Sequence, residues 1–328
     1  MITAAVAELA PLSQKDRAAI AALPCDLSAH DAYMSGLATM TQIETGGSGG
    51  NPLSLPLTVA AWNLERCLFP EASAIKLASS GASLVLLSEM DKGMARTGQR
   101  HPTAEIAARL GMSYAYGVEF IELGLGSDTE RAFCSDSFNE LGLHGNALMA
   151  RSVLLQPFML RLPGNGHWFL NGGDQPRMGE RMAIGAIIET VTGPLVAVST
   201  HLESVAQPAG RATQMTAILD LLDSRFPGLP VVIGGDLNTG NFPGGSWRQE
   251  TLFANAEGRG YTIHGGPEEA VTTRPSLITR WPDRAMKLDW FLTRGLHAGA
   301  MRIETSLDGE GKPLSDHDLI VLQIKGLA

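Results

Sequence analysis

The chain has 328 residues, enough for one large core or two modest ones, and its 44% hydrophobic and 18% charged content excludes a disordered chain. Its 34 acidic residues outnumber the 25 basic ones, leaving a net charge of −9. That balance argues against tight, sequence-independent binding to long nucleic acid, where affinity comes from Lys and Arg contacts to phosphates. Cys25, Cys67 and Cys134 are too scattered for a disulfide framework or a zinc knuckle. The N-terminus has no basic start followed by an apolar block, and no stretch is apolar enough to span a bilayer, so the expected location is cytoplasmic.

In chain order, Ala5 to Leu23 carry apolar residues at mixed three- and four-residue spacing, the pattern of one or two short helices. Thr45 to Asn51, TGGSGGN, reads as a flexible break. The expected organisation is therefore a helical arm with a glycine-rich linker over residues 1–52 and a main domain over 53–328. Removal of residues 1–50 is expected to leave a folded core, because every motif lies after them.

Short apolar blocks bounded by turn residues follow: LTVAAWNL from Leu57, SLVLLSEM from Ser83, NALMARSV from Asn146, RMAIGAII from Arg181 and PLVAVSTHL from Pro194. LPVVIGGDL from Leu229, KLDWFLT from Lys287 and HDLIVLQI from His317 complete the set. Their length and their Val, Ile and Leu content favour buried strands. Helical patterns cover Ala72–Ser79, Pro102–Leu110 and Ala209–Arg225. Many buried strands with helices between only some of them predict an α/β (α+β) protein with two packed sheets flanked by helices, not a simple alternating sheet.

Polar residues end most of these strands. Asn63 and Glu65 close the first, Glu89 the second, His201 and Glu203 the fifth, Asp236 and Asn238 the sixth; Asp289 lies inside the seventh and Asp316-His317 opens the last. A single carboxylate at a strand end usually caps a helix or faces water. An Asp between Leu288 and Trp290 is harder to dismiss, since a buried carboxylate needs a cation or a donor such as His. Hard divalent cations take oxygen ligands, and Glu89, Glu65 and Asp316 are candidates. Phosphoester hydrolysis also needs a group that orients water and donors for the growing phosphoryl charge. Asp236, Asn238, His201, His317 and Asn63 are of the right types, and Asp289 could hold one tautomer of His317.

At these residues the chain resembles the endonuclease/exonuclease/phosphatase superfamily, from about Leu57 to Ile324. AAWNLE is similar to the family's opening Asn motif, LLSEMD to its metal-binding Glu motif, GNALMARS to its inner strand and VSTHLES to its His motif. IGGDLNT, KLDWFLT and LSDHDLIV are similar to the three closing motifs, in order. The resemblance implies a four-layer α/β sandwich of two mixed sheets, and a phosphoesterase, most simply a phosphodiesterase, that uses Mg²⁺ or Mn²⁺. It implies Glu89 as the main metal ligand with Asn63 and Asp316 near the ion, and Glu65 where some nucleases carry Asp. Asp236 and Asn238 would orient the water, His201 would contact a phosphate oxygen, and His317, held by Asp289, would donate to the phosphate or accept the proton. Asn146 and Arg181 are the expected substrate contacts. The long acidic segment from Glu122 to Leu143 is expected at the site entrance. Nucleic acid, a phospholipid head group and a small phosphodiester all remain substrates of this reading, and a non-catalytic binding protein on the same fold is its alternative.

Overall fold

The structure is a computed structural model, and it describes residues 1–172, 177–278 and 285–328. Its strands are β1 (Ala5–Val6), β2 (Ile43–Gly47), β3 (Leu57–Arg66), β4 (Leu84–Lys92), β5 (Ser113–Glu122), β6 (Leu143–Ala150), β7 (Leu154–Arg161) and β8 (Arg177–Gly179). They continue as β9 (Met182–Thr190), β10 (Gly193–His201), β11 (Val231–Asp236), β12 (Thr262–His264), β13 (Asp289–Arg294), β14 (Leu296–Ala298), β15 (Arg302–Glu304) and β16 (Leu319–Leu327). One sheet runs β1-β2-β5-β6-β4-β3-β16-β14, with β15 on β16 and β8 on β5; the other runs β12-β13-β11-β10-β9-β7.

Each sheet is mixed, and each has a parallel pair at its centre: β3 with β4, and β10 with β11. A parallel pair needs a crossover, supplied by the helices Pro70–Ser80 and Pro208–Arg225. The expected Pro102–Leu110 helix also forms with those bounds.

Side-chain alternation explains why the sheets stack. Val59, Ala61, Leu84, Leu86, Leu195, Ala197, Val232, Phe291, Ile320 and Leu322 share one core, between the sheets. Their neighbours of opposite parity on β3 and β4, Ala60, Trp62, Val85 and Leu87, pack outward against Ala74, Leu77 and Ile106. On the other sheet Val196, Val198, Val231, Ile233 and Leu292 meet Met215, Ile218, Leu219 and Leu222 of the long helix. Helix, sheet, sheet and helix therefore form four layers, as expected.

The first fifty residues are not a loose arm. The first three residues of the segment expected to be a flexible break, Thr45 to Gly47, belong to strand β2, which pairs antiparallel with β5 from Glu44↔Tyr116 to Gly47↔Ser113. Its glycines serve close approach: Gly47 has φ +86, and a Cβ there would lie 2.1 Å from the Met112 carbonyl oxygen. Leu9, Leu12, Ile20 and Met40 are buried in the same core as Trp62 and Leu87. The strand β5, whose Tyr, Gly and Glu residues interrupt any apolar run, had no counterpart among the sequence-predicted strands.

Candidate functional site

The polar ends of the strands meet because of direction and parity together. In the parallel pairs β3/β4 and β10/β11 the C-terminal ends lie at one edge of the sandwich, where open α/β sheets place their ligands. β13 runs antiparallel to β11, so its first residue, Asp289, sits opposite Asp236. β16 runs antiparallel to β3, which brings the preceding Asp316-His317 to the same end. Asn63 continues the parity of Val59 and Ala61, His201 that of Leu195 and Ala197, and Asp236 that of Val232, so all three point between the sheets.

Within this cluster, Asn63 Nδ2 lies 3.1 Å from both Glu89 Oε1 and Asp236 Oδ2, so one amide joins carboxylates from opposite sheets. Asp236 Oδ1 accepts the backbone N–H of Asn238 at 2.8 Å. Its Oδ2 lies 3.5 Å from His201 Nε2 and 3.6 Å from His317 Nε2. Gly235 makes this strand end possible: its φ is +146, and a Cβ would meet the Thr200 carbonyl oxygen at 2.0 Å.

His317 and Asp289 pair as expected, with Nδ1 and Oδ2 2.8 Å apart. The backbone of His317 is fixed by Trp62 Nε1, which donates to its carbonyl at 2.8 Å. Burial works against the imidazolium, but the carboxylates of Asp289, Asp236 and Asp316 outweigh it and hold His317 well above the usual histidine range. Asp289 Oδ1 has no hydrogen-bond partner among the described residues.

The remaining expected residues are held by partners of their own. The carboxylate of Glu65 is used by the loop that follows Pro275: it accepts from Ser276 Oγ, from the Leu277 amide at 2.9 Å and from the Ile278 amide at 3.1 Å, and from the Asp316 amide at 2.9 Å. Its geometry is that of a loop clamp. Asn238 donates Nδ2 to the Leu202 carbonyl at 2.9 Å and accepts from Asn241. Arg181 donates to Glu119 Oε1 at 3.1 Å and to His201 Nδ1 at 2.8 Å, bracing that imidazole. Asn146 is fully buried, with Nδ2 3.2 Å from the Met182 carbonyl, and stands behind the cleft wall.

A cleft of about 980 Å³ opens over the cluster, lined by Glu89, Asp236, Asn238, Asp316, His201 and His317, with Phe120, Trp168 and Phe242 forming apolar walls. The acidic segment beyond Glu122 folds beside it: a short helix, Asp128–Arg131, carries Glu130 to Arg66 and Arg96. Sequence reasoning overlooked Arg66, Glu119 and His144. Arg66 donates to Glu89 Oε2. Glu119 stands 3.6 Å from His201 Nδ1, and its carboxyl, raised by burial, is pulled back to about 2 by Arg181 and His201. His144 lines the cleft and bonds Asp91, which Arg96 grips at 2.8 and 3.0 Å. The signal for Glu119 was parity, since it shares a strand face with Ala115 and Gly117.

The donor set fits a hard divalent cation: carboxylate oxygens of Glu89, Asp236 and Asp316 come from different strand ends and line one cleft. Burial pushes the Cys67 thiol up, so it is a poor soft ligand. Among the described residues Asp236, Asp289 and His317 form a group whose ligand atoms lie within 4.8 Å of one another, but Asp289 and His317 are already bonded to each other. Glu89, Asp236 and Asp316 are the cleft-lining carboxylates that could hold such an ion, and Asn63 is bonded to the first two.

Several solved structures share this layout. An endonuclease/exonuclease/phosphatase from Beutenbergia cavernae superposes with TM-score 0.60 at 17% identity, over 83% of this chain and 72% of that one. The human Nocturnin catalytic domain with bound sulfate gives 0.58 at 16% identity, over 84% and 96%. A mannosyl-6-phosphatase from Bacteroides thetaiotaomicron gives 0.53 at 13% identity, over 82% and 99%. The chain has the endonuclease/exonuclease/phosphatase fold. No protein-family model and no curated protein matches its sequence. No helix among the described residues is long and apolar enough to cross a membrane.

Proposed function

We propose that this protein is a divalent-metal-dependent phosphoester hydrolase, using Mg²⁺ with Mn²⁺ as a substitute, and that phosphodiesters are its substrates. The observation that carries this reading is His317, bonded to Asp289 through Nδ1 at 2.8 Å while Nε2 faces Asp236 and the cleft. A histidine bonded at Nδ1 to a buried carboxylate, with Nε2 turned towards a second carboxylate at the cleft, is an arrangement suited to proton donation at a phosphoryl group.

The roles follow from position. Glu89 and Asp316 would hold the metal ion, which when bound draws charge from the phosphoryl oxygens. Asp236 accepts a proton from the attacking water and directs its lone pair at phosphorus. Asn238 keeps the Asp236 carboxylate in place through its backbone N–H. His317, kept protonated by its three carboxylate neighbours, donates Nε2–H to a phosphoryl oxygen, and His201 flanks the same group. Water adds to phosphorus, the ester P–O bond breaks, and the proton that Asp236 took from the water balances the one the leaving alcohol takes up. The names of the solved structures span nuclease and phosphatase activities, so the fold supports the reaction class and not a substrate. The net charge of −9 and the walled cleft favour a small phosphodiester or a single strand over duplex nucleic acid.

The test is a panel of bis-p-nitrophenyl phosphate, single- and double-stranded DNA, RNA, inositol phosphates and sphingomyelin, each assayed before and after EDTA. Hydrolysis of at least one substrate, abolished by EDTA and restored by Mg²⁺ or Mn²⁺, is expected. Glu89→Gln should abolish that rescue, while Glu65→Gln should retain it, because the Glu65 oxygens serve the 276–278 loop. Full activity after exhaustive chelation would remove the metal from the reading.

A further inference from the structure

The cation that meets Glu89 in this protein comes from the chain itself. Arg66 donates from Nη1 to Glu89 Oε2, while Glu89 Oε1 accepts from Asn63. The backbone forces them together: pairing of β3 with β4 jumps from Asn63↔Ser88 to Arg66↔Met90. Both residues take left-handed conformations, φ 78 at Arg66 and φ 57 at Glu89. Side-chain-bearing residues resist that region, so the surrounding sheets impose the contact.

Arg66 also has a second place to go. Its Nε lies 3.3 Å from Glu130 Oε1, and Glu130 is itself anchored by a capping box with Ser127. The guanidinium stands on the divide between the main cleft and an adjoining one of about 560 Å³, and it lines both.

Resting on the metal reading above, we propose that Arg66 is a tethered counter-ion that competes with the divalent cation for Glu89. A metal ion at Glu89 repels the guanidinium, which keeps Glu130 and turns towards the cleft, where it meets the phosphoryl group of a substrate. Metal binding is then weak without phosphate and strengthened by it, and linkage makes the coupling reciprocal. The arrangement withholds the metal from the site until substrate is present.

The full-length chain and Mn²⁺ alone provide the test, with free Mn²⁺ counted from its paramagnetic resonance signal. Arg66→Met should tighten Mn²⁺ binding by about tenfold, within the usual range of coupling between sites. Inorganic phosphate should tighten Mn²⁺ binding to wild type and leave Arg66→Met unaffected. Arg66→Lys retains the charge and should stay near wild type, which separates repulsion from damage to the fold. Unchanged or weaker Mn²⁺ binding by folded Arg66→Met overturns the proposal, as does phosphate-independent binding by wild type should the Met variant not fold. Absence of Mn²⁺ binding by both proteins overturns the metal reading as well, an outcome distinct from binding that ignores residue 66.

Discussion

Two buried charged clusters differ in setting: one surrounds Glu44 on the larger sheet, while the other joins strand ends of both sheets and faces the cleft. Glu44 on β2 accepts from the Leu9 amide at 2.8 Å, from Lys92, from Tyr114 at 3.1 Å and from His101 at 2.5 Å. Both oxygens are used, and two of the donors are basic side chains. At the strand ends, Asp236, Asp289, Asp316 and Glu89 share two imidazoles and one guanidinium, and Asp289 Oδ1 has no hydrogen-bond partner among the described residues. Burial alone therefore does not mark a functional carboxylate. What distinguishes the second cluster from the Glu44 ion pairs is that carboxylates from several strands of both sheets converge beside an open cleft.

The comparison breaks most visibly if the first cluster is dispensable. Deleting residues 1–50 removes Glu44, strips β5 of its edge partner and leaves Lys92 buried without its carboxylate. It also exposes the core surface that Leu9, Leu12 and Ile20 cover. The expected outcome is loss of cooperative unfolding and aggregation, read by thermal melts and size-exclusion chromatography. A monomeric truncated chain with a wild-type melt would show that the first fifty residues are an appendage after all.

At the second cluster, His317→Ala should lower kcat by about 10²–10⁴-fold with a much smaller change in KM. Asp289→Asn should keep the fold and lose a large part of the same activity. The double variant should fall far short of the product of the single losses, because the two side chains act as one unit through their 2.8 Å contact. Measuring kcat/KM for all four proteins on one phosphodiester decides it; multiplicative losses would separate the pair.

The gentlest test uses acid. Burial raises the Glu44 carboxyl, but hydrogen bonds from His101, Lys92 and Leu9 pull it down to about 2, below its ordinary 4.5. A folded value below the unfolded one adds stability that is complete above the unfolded value and lost as pH falls towards the folded one. The contribution is on the order of 3 kcal/mol, vanishing between about pH 4.5 and about pH 2. Glu44→Gln should therefore flatten the acid limb of stability in urea titrations while kcat stays at the wild-type level. A large loss of kcat in a folded Glu44→Gln protein would mean that the two clusters communicate.

Much of this architecture was legible in the residues. Apolar blocks such as LTVAAWNL and LPVVIGGDL announce buried strands because a strand covered on both faces must be apolar at consecutive positions. The polar residues that close those blocks announced the cleft, and Asp289 announced its partner by being too costly to bury alone. Three things depended on the assembled fold. The pairing that turns the start of TGGSGGN, Thr45 to Gly47, into a strand is provided by β5, which lies far along the chain and has no apolar run of its own. Glu65 and Asn63 are two residues apart in one strand, yet a shift in the β3–β4 register sends Glu65 to a loop more than two hundred residues away and leaves Asn63 between two carboxylates. Arg66 reaches Glu89 only because that same irregularity turns both into left-handed backbone. Local sequence determines which residues are buried and in what alternation, since that depends on near neighbours. Which charge meets which is set by strand direction and register, and those exist only once the sheets have formed.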